Sequence, residues 1–64
     1  MIWELYEVWS VDLDGREDLI TTTYSLKEAQ QLAKESLTED IIEVIIYKED
    51  EEGELSEVEV IANE

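Results

Sequence analysis

A chain of 64 residues with no cysteine and no histidine lies close to the lower size limit for a single hydrophobic core, and it excludes disulfides, thiolate zinc sites and histidine general bases. Nineteen acidic residues against four basic ones leave a net charge of −15, which makes nucleic acid or an anionic membrane surface a repelled ligand and a basic protein the natural complement. A hydrophobic content of 44% sets the chain apart from disordered acidic tails, so residues 1–64 are expected to fold as one domain despite their self-repulsion.

The first element is WELYEVWSV, Trp3 to Val11, rich in aromatic and β-branched residues. It runs into DLDGR, where Asp12, Asp14 and Gly15 fit a type I turn closed by a glycine bulge. That turn sets Asp12 opposite Arg16 and Val8 opposite Ile20; a two-residue Asp14-Gly15 turn instead sets Trp9 opposite Ile20. The second strand, near Asp18 to Tyr24, is threonine-rich and reads as an edge.

Ser25 then caps a helix, with Glu28 placed to complete a capping box. Leu26, Ala29, Leu32, Ala33 and Leu37 follow at helical spacing, opposite Lys27, Glu28, Gln30, Gln31, Lys34 and Glu35. The chain returns to strand with IIEVIIYK, turns through the acidic EDEEGE on Gly53, and ends in LSEVEVIA. The class is α+β, with the pattern β-β-α-β-β. A four-stranded antiparallel sheet in the order 2-1-3-4 puts the two most apolar strands in the centre, with 2-1-4-3 as the alternative. No repeat or linker is read from the sequence, no apolar stretch is long enough to span a bilayer, and Met1 leads into Trp3-Glu4 rather than a basic leader, so a cytoplasmic protein is expected.

One helix covers one sheet face. Strict alternation assembles that face from Ile2, Tyr6, Val8, Ile20, Ile42, Val44, Ile46, Val58 and Val60. The other parity collects Trp3, Leu5, Trp9, Leu19, Ile41, Ile45, Tyr47 and Ile61, interrupted by Glu7, Glu43, Glu57 and Glu59; inverting the first hairpin is the alternative, and it only exchanges which aromatics are exposed. At roughly 50 to 100 Å² each, those apolar groups exceed the ~300–600 Å² patch of an ordinary monomer. Burying about 600 Å² at roughly 25 cal/mol per Å² is a gross gain of about 15 kcal/mol, much of it cancelled by the ordering cost of association. Half-exposed Trp and Tyr are also common on small open sheets, and that is the plain alternative.

Most local clusters carry no chemistry. DLDG with Glu17 and Asp18 misses the calcium-loop spacing and reads as a turn. Glu49, Asp50, Glu51 and Glu52 read as a solvated loop rather than a cation site, and no pocket or third group orients Glu57 and Glu59 for acid-base work. The expectation is no enzyme, no metal and no cofactor. Residues 41–64 hold nine of the nineteen acids against one lysine, which makes the second hairpin the acidic pole. With alternate carboxylates about 6.8 Å apart along a strand and neighbouring strands under ~5 Å away, such a sheet can imitate a phosphate array.

Four short motifs carry a resemblance: Tyr6-Glu7-Val8, Asp14-Gly15, Ser25-Leu26 and Asp40-Ile41-Ile42. Their layout is similar to that of small phage-encoded inhibitors of uracil-DNA glycosylase over roughly residues 6–47, although this chain has a full fourth strand and no phenylalanine. The resemblance implies a dimeric DNA mimic acting in the host cytoplasm through acidic residues and an apolar pocket made by the dimer. Anti-CRISPR and anti-restriction proteins fit the same description. The expected function is an acidic inhibitor on the basic, nucleic-acid-binding surface of a host or defence enzyme. Its contacts are Glu43, Glu49, Asp50, Glu51, Glu52, Glu57 and Glu59, with Trp3, Leu5, Trp9, Ile41, Ile45 and Tyr47 as apolar partner or dimer contacts. The alternatives are an adaptor that homodimerises through its open face, with acidity for solubility, and, far behind, an enzyme subunit or metal-binding protein.

Overall fold

The computed structural model describes residues 4–62. The elements are β1 (Leu5–Asp12), β2 (Glu17–Thr23), α1 (Leu26–Ser36), β3 (Ile41–Glu49) and β4 (Leu55–Ala62). The four strands form one antiparallel sheet in the order β2-β1-β3-β4, as the strand apolarity predicts.

Both hairpins are closed by the same chemistry. Asp12 Oδ1 accepts from the amides of Asp14 and Arg16, each at 2.9 Å. The Gly15 amide donates to the Asp12 carbonyl at 3.0 Å, and the Asp12 amide to the Arg16 carbonyl at 3.0 Å. Asp50 repeats the arrangement: its Oδ1 accepts from Glu52 at 2.8 Å and Glu54 at 2.9 Å, Gly53 donates to its carbonyl at 3.1 Å, and its own amide reaches the Glu54 carbonyl at 3.0 Å. Gly15 and Gly53 have φ of +81° and +85°, the left-handed conformation in which a Cβ costs about 1–2 kcal/mol.

The equivalence extends beyond the turns. Both hairpins shift register at the same relative place, between Val8 and Trp9 in one and between Ile46 and Tyr47 in the other. One constant sequence offset therefore relates Val8 to Ile46, Trp9 to Tyr47, Asp12 to Asp50, Gly15 to Gly53, Glu17 to Leu55 and Ile20 to Val58. Val8 and Ile46 are also cross-strand partners, so a pseudo-two-fold axis passes between them at the centre of the sheet. No repeat is visible in the sequence because of these pairs only the turn aspartates and glycines are identical residues.

Three bulges overturn the strict alternation. One extra residue stands in each strand pair: Ile20 in β2, Ile42 in β3 and Val58 in β4. They are 40%, 42% and 41% exposed, so none enters the core it was expected to fill. Beyond each bulge the parity reverses. Val8 is consequently opposite Thr21 rather than Ile20. Ile41, expected on the open face, packs against the core in place of Ile42. On β4, Ile61 packs on the core and Val60, paired with Ile45, lies on the open face, the reverse of the expected assignment.

The helix lies over β3, β1 and β2. Ser25 Oγ accepts from the Glu28 amide at 3.2 Å, while the Ser25 amide donates to Thr23 Oγ1 at 3.2 Å, so Thr23 makes the reciprocal bond expected of Glu28. Ala29 and Ala33, too small to hold the helix off the sheet, are fully buried with Val8, Val44 and Ile46. Tyr6 completes the buried cluster, and Leu26 and Leu37 close its ends. Eleven residues give a helix of roughly 16 Å, against a molecular long axis of 40 Å. The helix therefore covers the centre of one face, and the hairpin ends project beyond it.

Ile46→Ala removes the branched side chain on the pseudo-axis and is expected to cost about 2–5 kcal/mol, read from the urea midpoint. Asp12→Ala and Asp50→Ala each remove two carboxylate-amide bonds of the same geometry; each is expected to cost about 1 kcal/mol, with the two midpoints falling together.

Candidate protein-binding face

Four cross-strand rows make up the face away from the helix. Glu17, Val11, Glu43 and Ala62 form the first row; Leu19, Trp9, Ile45 and Val60 the second. Thr22, Glu7, Tyr47 and Glu57 form the third, and Leu5, Glu49 and Leu55 the fourth. Apolar and acidic rows thus alternate, and among the described residues no lysine or arginine occupies a position in them.

The second row partly covers itself. Ile45 is only 8% exposed, flanked by Trp9 on β1 and Val60 on β4. Trp9 and Tyr47 are half-buried, whereas Leu19, Leu55 and Val60 remain open. The uncovered apolar area is therefore smaller than strict alternation suggests, and it divides into patches beside carboxylates.

Trp9, Glu17, Tyr47 and Leu55 surround one open cavity of about 250 Å³. Trp9 and Tyr47 are equivalent across the pseudo-axis, and so are Glu17 and Leu55, which means that the cavity lies over that axis. The indole Nε1 of Trp9 donates to Glu7 Oε1 at 2.9 Å, which fixes the ring and occupies its one polar hydrogen. Burial first, then the carboxylates of Glu17 and Glu57, push the Tyr47 hydroxyl above its ordinary range. Tyr47 is thus a neutral donor among acids at physiological pH.

The expected site residues divide. Leu5, Trp9, Glu43, Ile45, Tyr47, Glu49 and Glu57 share the open face. Asp50, Glu51 and Glu52 lie in the turn, and the Asp50 carboxylate is committed to two amides. Ile41 belongs to the core side. Glu59 is a second correction: it pairs with Ile46 on the helix side, and its Oε1 accepts from Gln30 Nε2 at 2.8 Å. The bulge at Val58 thus places Glu57 and Glu59 on opposite faces, and the 6.8 Å carboxylate pair expected along β4 does not form. Trp3 lies outside the described residues, as does Ile2. Glu17, Leu55 and Val60 were not among the expected contacts. The matching turns could have pointed to Glu17 and Leu55, since each stands two places after the turn glycine.

No family model, curated protein or solved structure matches this chain. Among the described residues no group of three or more acidic side chains could hold a metal ion, and no helix is long and apolar enough to cross a membrane. Two of the four basic side chains make ion pairs: Arg16 with Asp18 at 3.3 Å and Lys48 with Glu4 at 2.9 Å. Lys27 and Lys34 stand exposed on the helix.

The Tyr47 environment has a measurable pH signature. Its folded-state pKa is raised, so this group contributes stability that is present below the ordinary tyrosine pKa of about 10 and lost as pH rises through the folded value. Phenolate absorbance of wild type minus Tyr47→Phe should show a transition above the ordinary range, moved downward by Glu17→Gln. No movement in that variant would separate the two side chains.

Proposed function

We propose that this protein is an acidic, protein-binding inhibitor whose open sheet face and second hairpin dock on the basic, nucleic-acid-binding surface of another protein. The observation that supports this reading most directly is the alternation of rows on the open face. Glu17 and Glu43 stand on either side of Val11, and Glu7 and Glu57 on either side of Tyr47. Two strand spacings separate the members of each pair, about 10 Å, and the two acidic rows are about 13 Å apart. These spacings are comparable with the ~12 Å width of the DNA major groove, across which phosphates face one another. The Trp9 row between them supplies the apolar contact that a purely solubilising surface does not need.

Charge also ranks the possible occupants. A second copy packed on this face brings Glu7, Glu17, Glu43 and Glu57 against the same four carboxylates, and like charges across an interface oppose association. A basic partner neutralises them. Electrostatic steering then speeds encounter, and Trp9, Tyr47, Leu19, Leu55 and Val60 supply contact area. This is the chemistry of a DNA mimic. The chain's short motifs resemble those of small acidic phage-encoded antagonists, which would act in the same way.

The experiment is capture of partners from a bacterial lysate at low and high salt, with the mass of the free protein measured in parallel. A basic nucleic-acid-binding protein should be retained at about 50 mM salt and released steeply by a few hundred millimolar, and nucleic acid should compete with the captured complex. Glu17→Lys with Glu57→Lys should abolish retention. Retention unchanged by that double reversal, or a dimer that tightens with salt through the same face, is the result that sinks the reading.

A further inference from the structure

The open-face cavity has a chemistry more specific than general acidity, and it bears on what the basic partner inserts. We infer that the cavity framed by Trp9, Tyr47, Glu17 and Leu55 is the seat of one arginine side chain from that partner. This rests on the proposed function for the partner's basic character and adds the identity of the group that anchors it.

Size sets the first limit. About 250 Å³ is below the ~300–1,000 Å³ of pockets that enclose drug-sized ligands, yet it accommodates one long side chain. The walls set the second. Two aromatic rings from the central strands line the cavity, and ring faces attract cations. The indole N–H is already committed to Glu7, so Trp9 offers a visitor its ring rather than a donor. Leu55 on the opposite edge strand packs against the aliphatic stem of a long cation.

Charge sets the third. Glu17 lines the cavity, Glu57 and Glu7 are the cross-strand neighbours of Tyr47, and Glu43 lies two strands from Glu17 in the same row. The nearest base in sequence, Arg16, is paired with Asp18, and Lys48 is on the helix side with Glu4. An anion is repelled from this site, and an aliphatic or phenyl anchor strips water from Glu17 without replacing its hydrogen bonds. A cation meets both the rings and the carboxylates. Arginine fits better than lysine because its planar guanidinium stacks on a ring and presents a fork of donors to a carboxylate, and it is more weakly hydrated.

The test uses the intact protein with two nine-residue peptides, oligo-arginine and oligo-lysine, of equal charge. Binding is measured at low salt by calorimetry and by the indole N–H resonance of Trp9. The arginine peptide is expected to bind about tenfold more tightly than the lysine peptide and to shift the Trp9 resonance. Glu17→Gln and Tyr47→Leu should each erase the preference while leaving weak, salt-sensitive binding of both peptides. Glu28→Gln, which removes the same charge from the helix surface, should keep it. Glu17 is exposed, so its variant folds even where Tyr47→Leu is destabilised.

Equal binding of the two peptides by the wild-type protein overturns the inference. So does a preference that survives Glu17→Gln, or tighter binding when a leucine replaces the central arginine. In those cases salt-sensitive binding of both peptides leaves the broader reading standing. Failure of both peptides to bind at low salt overturns the two together.

Discussion

The fold depends on how closely one short helix can approach the middle of a four-stranded sheet. Ala29 and Ala33 present almost no side chain to Val8, Val44 and Ile46, and all five are fully buried. A bulkier stripe would lift the helix and open the space between the layers, which interiors packed near crystal density do not tolerate cheaply. The narrow contact means that the helix secures the centre of the sheet and little else. The hairpin ends are held instead by their own backbone ladders and by the aspartates that close their turns, with Leu13 N to the Asp40 carbonyl at 3.1 Å joining the first turn to the start of β3.

That division explains the bulges. A strand buried along its whole length on one face cannot change parity without exposing its apolar set. Here each of the three bulges leaves an apolar β-branched residue more than a third exposed, and each reassigns the residues beyond it. The change brings Ile61 to the core margin and sets Val60 beside Ile45. It also turns Glu59 toward Gln30, giving the middle of the helix a hydrogen-bonded contact with the outermost strand. The hairpins share the bulge position as well as the turn, and their pseudo-symmetry places matching residues on opposite sides of the open-face cavity.

The proposed function rests on what remains on the uncovered face. Its apolar groups are separated by carboxylates, so a second copy packed on this face would meet electrostatic repulsion. Trp9 is steadied by its place beside Ile45 and by its bond to Glu7; ordering it at an interface therefore costs less entropy than ordering a free side chain. Acidic rows and a fixed indole together suit a basic partner.

Much of this architecture is legible in the residues alone. The threonine-rich and glutamate-rich strands declare themselves as edges, DLDG and DEEG as turns, and Ser25 as a helix start, because turns, caps and hydrophobic periods are local effects of a few neighbouring side chains. The net charge and the sheet face that one helix leaves uncovered are equally plain, and the proposed basic partner rests on them. Tertiary structure alone decided which residues share the open face. A bulge is a property of two paired strands, and nothing within SEVEV shows that Val58 will fall out of register and turn Glu59 to the other side. The cavity is likewise a product of pairing: it joins residues from all four strands around an axis that exists only once Val8 and Ile46 have met.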